Sequence, residues 1–188
     1  MCTRRFGTAI AAALALGAGA SLALAQGYGG PYDFGSTPTE AEIAAVDIDA
    51  MPDGRGLPPG SGTYEQGKEL YAAQCAACHG EQLEGVAKAG DKLIGGRGSL
   101  TSGTPVKTIE SYWPYATTLF DYVKRAMPLP APGSLSDDQV YALAAFILAE
   151  AKVIGKDQAM DAKTLPEVKM PNRDGFVPDP RPDVFNYE

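Results

Sequence analysis

Residues 75–79 read Cys-Ala-Ala-Cys-His, and His79 is the only histidine in a chain of 188 residues. No other stretch limits the fold so tightly, because it puts two thiols one helical turn apart and an imidazole directly behind them. Structural zinc takes about four Cys or His ligands, and the chain offers three once Cys2 has left with an N-terminal leader. A thioredoxin-like redox pair needs an alternation of strands and helices that the sequence lacks. A structural disulfide between such close neighbours is uncommon. The chemistry that uses all three groups is covalent attachment of c-type haem. Each thiol forms a thioether with one porphyrin vinyl group, and the next residue supplies the proximal imidazole to iron. One haem c needs one such imidazole, which accounts for the solitary histidine.

The leader is residues 1–25. Arg4 and Arg5 precede an apolar stretch at 9–24, and Ala23-Leu24-Ala25 forms a small-x-small cleavage site ahead of Gln26. This is the layout of a secretory signal peptide cleaved after Ala25. Gly17, Gly19 and Ser21 dilute the stretch, which is short for a membrane anchor. Export to the periplasm is the expectation, by the general secretory route, since haem is attached after an unfolded crossing. Cleavage removes Arg4 and Arg5 but no acid, leaving 14 basic residues against 23 acidic, a formal charge of −9. An acidic surface disfavours nucleic acid and anionic membranes and favours a partner with a basic docking patch. No other stretch is apolar and long enough to span a bilayer, so no membrane span is expected after cleavage.

Composition divides the remainder into three zones. Residues 26–62 are rich in Gly, Pro, Ser and Asp and read as an extended N-terminal arm with one short helix at 39–46. Residues 63–154 carry the helical periodicity. Residues 155–188 form a proline-rich C-terminal arm unable to sustain a helix or an interior strand. Three helices are expected in the middle zone. Thr63 with Gln66 is a capping box for a helix through about Ala77, with Gly67 and Tyr71 on one face. A second runs from about Ala116 to Ala126, with Leu119, Tyr122 and Val123 inward. Ser136 with Gln139 caps the third, whose apolar residues nearly encircle it; Asp137 and Asp138 serve its positive end rather than acid–base chemistry. No strand alternation is visible, so the fold class is all-α.

With no second histidine, the sixth iron ligand expected is a methionine thioether. Met51, Met127, Met160 and Met170 are available, and three of them precede proline. Met127 is the choice by position, on a proline-braced segment between the second and third helices. Arg97 in GGRGSL, with Tyr112 and Trp113 in SYWPY, are candidates for haem propionate contacts or for a structural loop with an aromatic plug. Lys124-Arg125 reads as a solvated face or a docking contact.

CAACH at the end of a helix bearing Gly67 and Tyr71, a methionine some fifty residues on and a last helix ending AAFILA together resemble the class I cytochromes c. The resemblance covers residues 63–152. It implies the class I cytochrome c fold, with long irregular extensions here, in which the first helix crosses the last at Gly67 with Phe146 packed there. The stretches at 46–62, 108–128 and 170–182 resemble, more narrowly, the haem c subunits of Sox-type sulfane dehydrogenases and related sulfite dehydrogenases. Some members of that group carry two haems, whereas this chain has one CxxCH. That resemblance implies a molybdopterin-containing catalytic subunit as electron donor, with another cytochrome c as acceptor. The chain would then be a non-catalytic electron-transfer subunit with both arms laid across its partner. Removing residues 155–188 would on that reading weaken association and leave the haem spectrum unchanged. A generic shuttle for an unrelated periplasmic dehydrogenase and a haem enzyme with an open distal site are the alternatives.

Overall fold

The computed structural model describes residues 35–179; the signal peptide at 1–25 lies outside them. Of the described residues, 35–42 and those from Ile43 onward belong to separate units. The first helix, α1 (Glu40–Val46), starts in the former. There the Thr39 hydroxyl accepts from the Glu42 amide at 3.2 Å, and the Glu42 carboxylate accepts from the Thr39 amide at 2.8 Å. This reciprocal cap specifies the helix expected at 39–46, which buries no side chain.

The second unit is built on α2 (Tyr64–Gln74) crossed over α5 (Asp137–Glu150). Both begin with the capping boxes read from sequence, Thr63 with Gln66 and Ser136 with Gln139. In α5 every residue from Val140 to Ala149 is buried, as its all-round apolar pattern requires. The helices meet at Gly67, where a Cβ would overlap the Ala142 carbonyl oxygen and reach within 2.7 Å of the Phe146 Cβ. Phe146 then lies between Tyr71 and Tyr64, with ring centroids 5.1 and 5.4 Å away. Gly67→Ala gains about 1 kcal/mol of helix propensity, but the backbone overlap costs more than that through overpacking. A net loss of about 2 kcal/mol is expected, read as a fall in melting temperature of roughly 4–8 °C.

A one-turn helix, α3 (Ala76–His79), follows α2. The sequence led us to expect one helix through about Ala77; instead Cys75, at φ −118° and ψ −35°, breaks it and starts the CAACH turn. The next helix, α4 (Ala116–Ala126), has the bounds expected. Its inward stripe is Ala116, Thr117, Leu119, Phe120 and Val123. Tyr122 is 47% exposed, which corrects the expectation that it faces inward. The inward place goes to Phe120, stacked 4.5 Å from Tyr141, while Tyr122 meets the edge of Trp113 at 5.8 Å.

The flanks are tied into this core. Two-residue strands β1 (Ser61–Gly62) and β2 (Met160–Asp161) pair antiparallel, Gly62 opposite Met160. Gly62 lies so close to the Ala142 backbone that a side chain would collide with it, and Tyr141 donates to the Pro58 carbonyl at 2.8 Å. Met160, Leu165 and Met170 are buried at 2%, 0% and 3% exposure, so the proline-rich segment through Met170 completes the hydrophobic core. Near Pro52, the Asp121 carboxylate accepts the Ala50 amide at 2.9 Å and is gripped by Arg125 at 2.8 Å. The Arg125 bond holds that carboxyl below its ordinary pKa. The all-α expectation holds: the one ladder among the described residues is two residues long. No helix among them is long and apolar enough to cross a membrane.

Candidate haem site

The CAACH turn is braced from three sides. Tyr71 is buried on α2 and donates its hydroxyl to the Gly80 carbonyl at 2.8 Å; burial pushes its pKa upward. The Gly85 amide donates to the His79 carbonyl at 2.7 Å. Beyond it residues 86–90 fold back, Val86 bridging Gly90, and the Leu93 amide reaches the Leu83 carbonyl at 2.9 Å. This return brings the Asp91 carbonyl to 2.7 Å from His79 Nδ1. A carbonyl only accepts, so Nδ1 carries the hydrogen and Nε2 is left with its lone pair for a metal. Gly90 lets the return pass close enough: a Cβ there would stand 2.7 Å from the Cys78 carbonyl oxygen and 3.1 Å from Nδ1.

Cys75 is half-buried and Cys78 exposed, and neither is in a disulfide. Burial, with the Cys78 charge second, pushes the Cys75 thiol up to about 11. A thiol so shifted stays protonated at neutral pH.

The apolar side chains of Leu93, Ile94, Trp113 and Met127 are half-buried and pack against the hydrophobic core. Met127 is the C-cap of α4, its amide bonded to the Val123 carbonyl at 3.1 Å, and its peptide bond to Pro128 is cis. Among the other methionines, Met160 and Met170 are core residues, whereas Met51 is 41% exposed. Met170 thus belongs to the core although it lies in the segment read from sequence as a proline-rich arm. Burial within the core leaves neither Met160 nor Met170 available as a ligand.

Arg97 is half-exposed and already partnered, with Nε 2.6 Å from Glu110 and Nη2 donating to the Ala151 carbonyl at 2.6 Å. Glu110 also accepts the Gly95 amide, so the GGRG loop and the SYWPY segment are held together. Trp113 stands beside Tyr122. Tyr112 is turned elsewhere, its ring against Phe176 at 5.2 Å and under Lys107 at 5.1 Å, its carbonyl accepting from Asn172 at 2.7 Å. The Thr117 hydroxyl is buried with no hydrogen-bond partner.

These residues fit a covalently held haem: two unpaired thiols one turn apart, an imidazole with Nε2 available, and half-buried apolar side chains at the edge of the core. Sequence reading missed Asp91 and Gly90. Asp91 acts through its backbone carbonyl, which no side chain announces; the glycines at 85 and 90 were the one trace of a tight return.

Comparison with known proteins agrees. Residues 64–150 match the family model for cytochrome c. A chain of the sulfane dehydrogenase SoxCD from Paracoccus pantotrophus superposes with a TM-score of 0.73 at 44% identity, covering 79% of this chain and 72% of that one. Thiosulfate dehydrogenases from Stutzerimonas stutzeri and Allochromatium vinosum are 32% identical over 93 residues and 27% identical over 124, covering 48% and 62% of this chain. The chain spans 28% and 43% of the lengths of these two relatives. With haem c implied by the motif and the fold alike, the chain belongs to the cytochrome c family, as a relative of the sulfane dehydrogenase SoxCD.

Proposed function

We propose that the chain is a periplasmic monohaem electron carrier, the non-catalytic partner of a dehydrogenase that oxidises sulfite or sulfane sulfur. Cys75 and Cys78 would hold the haem through thioethers, and His79 Nε2 and the Met127 sulfur would be its iron ligands. When bound, the haem supplies one-electron chemistry between Fe(II) and Fe(III). The protein sets its terms: the Asp91 carbonyl orients the imidazole and raises its basicity, and a methionine ligand would favour the reduced state. Arg97, which pairs with Glu110, and Trp113 are the residues we assign to the propionate edge, while Tyr112 is turned toward Phe176 and Lys107. Electrons arrive from a molybdopterin-containing subunit and leave to another cytochrome c.

The observation that carries the partner assignment is the reach of the SoxCD likeness. It covers 79% of the chain at 44% identity, extending well beyond the domain at 64–150 into the flanks. The test is gentle affinity isolation of the native protein. Molybdenum in the eluate, and haem reduction on adding sulfite or a sulfane-sulfur donor, are the expected results. Intact haem with no molybdenum would leave a shuttle for some unrelated dehydrogenase. Thiosulfate oxidation by the isolated chain would instead make it an enzyme, like the two relatives bearing that name.

A further inference from the structure

The adjacent bases at the end of α4 are occupied within the molecule. Arg125 pairs with Asp49 of the N-terminal segment and with Asp121 one turn back on α4. Lys124 has other partners. Its ammonium donates to the Leu135 carbonyl at 3.2 Å and stands 2.7 Å from the Asp137 carboxylate. These two partners mark the far end of the segment that leaves α4 at Met127.

Between Met127 and Ser136 that segment has little to hold it. Residues 129–134 are all exposed, and its own backbone bonds are Ala131 to Pro128 at 2.8 Å and Ser134 to Ala131 at 3.3 Å. Leu135 is its buried anchor, at 4% exposure. Lys124 therefore closes the loop by joining its end to the helix from which it starts, three residues before the methionine. The lysine and Asp137 side chains are 25% and 35% exposed, so this pair is more desolvated than the freely solvated pairs that contribute almost nothing.

We propose that Lys124 is a positioning residue for Met127, a staple that keeps the loop closed and the thioether seated on iron. This rests on the assignment of Met127 as axial ligand. A closed loop lowers the population of the methionine-detached state, and an exogenous ligand for iron binds only that state, so its apparent affinity falls with that population. Losing the staple raises the population without removing either axial ligand.

The test is imidazole titration of the ferric holoprotein. Lys124→Leu is expected to lower the apparent Kd about tenfold, equivalent to ~1.4 kcal/mol. Lys124→Arg, which keeps the cation, is expected to stay within about threefold of wild type. A Lys124→Leu protein within about twofold of wild type would overturn the proposal. If that variant fails to accumulate as holoprotein, Asp137→Asn removes the ion pair alone; a decrease of about threefold supports the staple, and no change overturns it. Met127→Ala separates the two readings, because an imidazole affinity equal to wild type there would show that methionine never guarded the site.

Discussion

Deleting residues 155–188 is expected to abolish the native fold, and the haem spectrum with it. The deletion removes Met160, Leu165 and Met170, each almost wholly buried, and the strand that covers Gly62. Truncating one such side chain to alanine costs about 2–5 kcal/mol. Removing three of them costs roughly 6–15 kcal/mol, against a typical total stability of about 5–15 kcal/mol. The segment's clip to the rest goes as well: Lys156 lies 2.8 Å from both the Glu150 carboxylate and the Tyr64 hydroxyl, over the Tyr64 ring. Circular dichroism and covalent haem yield measure the outcome. A truncated protein with native helicity and full haem content would show that these contacts are dispensable. The result reverses what the prolines alone led us to expect, an arm removable without effect on the haem. A shorter truncation after Asp179 spares every one of these contacts and is the form in which a partner-binding role of the tail can be tested.

Met127→Ala should act on the haem and leave the fold standing. Met127 is half-buried at the edge of the core, so the loss of packing is modest. The spectroscopic and redox effects are large: the Met-to-iron charge-transfer band disappears, and the reduction potential falls on the order of 0.2 V, within the ~0.8 V span that axial ligation controls. Equivalent substitution of Met51 should change neither, because that side chain is 41% exposed. A Met127→Ala protein with an unaltered spectrum would remove the ligand assignment and the loop staple together.

What could be read from the sequence was what local chemistry encodes. Thr63 with Gln66 and Ser136 with Gln139 each satisfy a helix start within four residues, and both capping boxes form as written. CAACH specifies its own turn and cofactor. Gly67, Tyr71 and Phe146 meet because a helix crossing needs a gap and a ring to fill its flank. The misreadings arise where partners are distant in the chain. Tyr122 was assigned inward from helical spacing alone, yet the slot belongs to Phe120 because Tyr141 stands opposite it. Met170 follows a proline-rich run, and composition says nothing of a core that such a run can cover. Lys124 and Arg125 looked like a solvated pair; their partners, Asp49, Asp121, Leu135 and Asp137, become neighbours only in the folded chain.

On the proposed function, His79 and Met127 would both ligate the haem iron and leave no position for a ligand from solution. Exposure of the reduced wild-type protein to carbon monoxide at neutral pH tests it most directly. The reduced spectrum of the wild type is expected to stay unchanged on mixing, while Met127→Ala binds the gas at once. Rapid carbon monoxide binding by the wild type would contradict that ligation and leave an open, reactive iron in place of one bound by Met127.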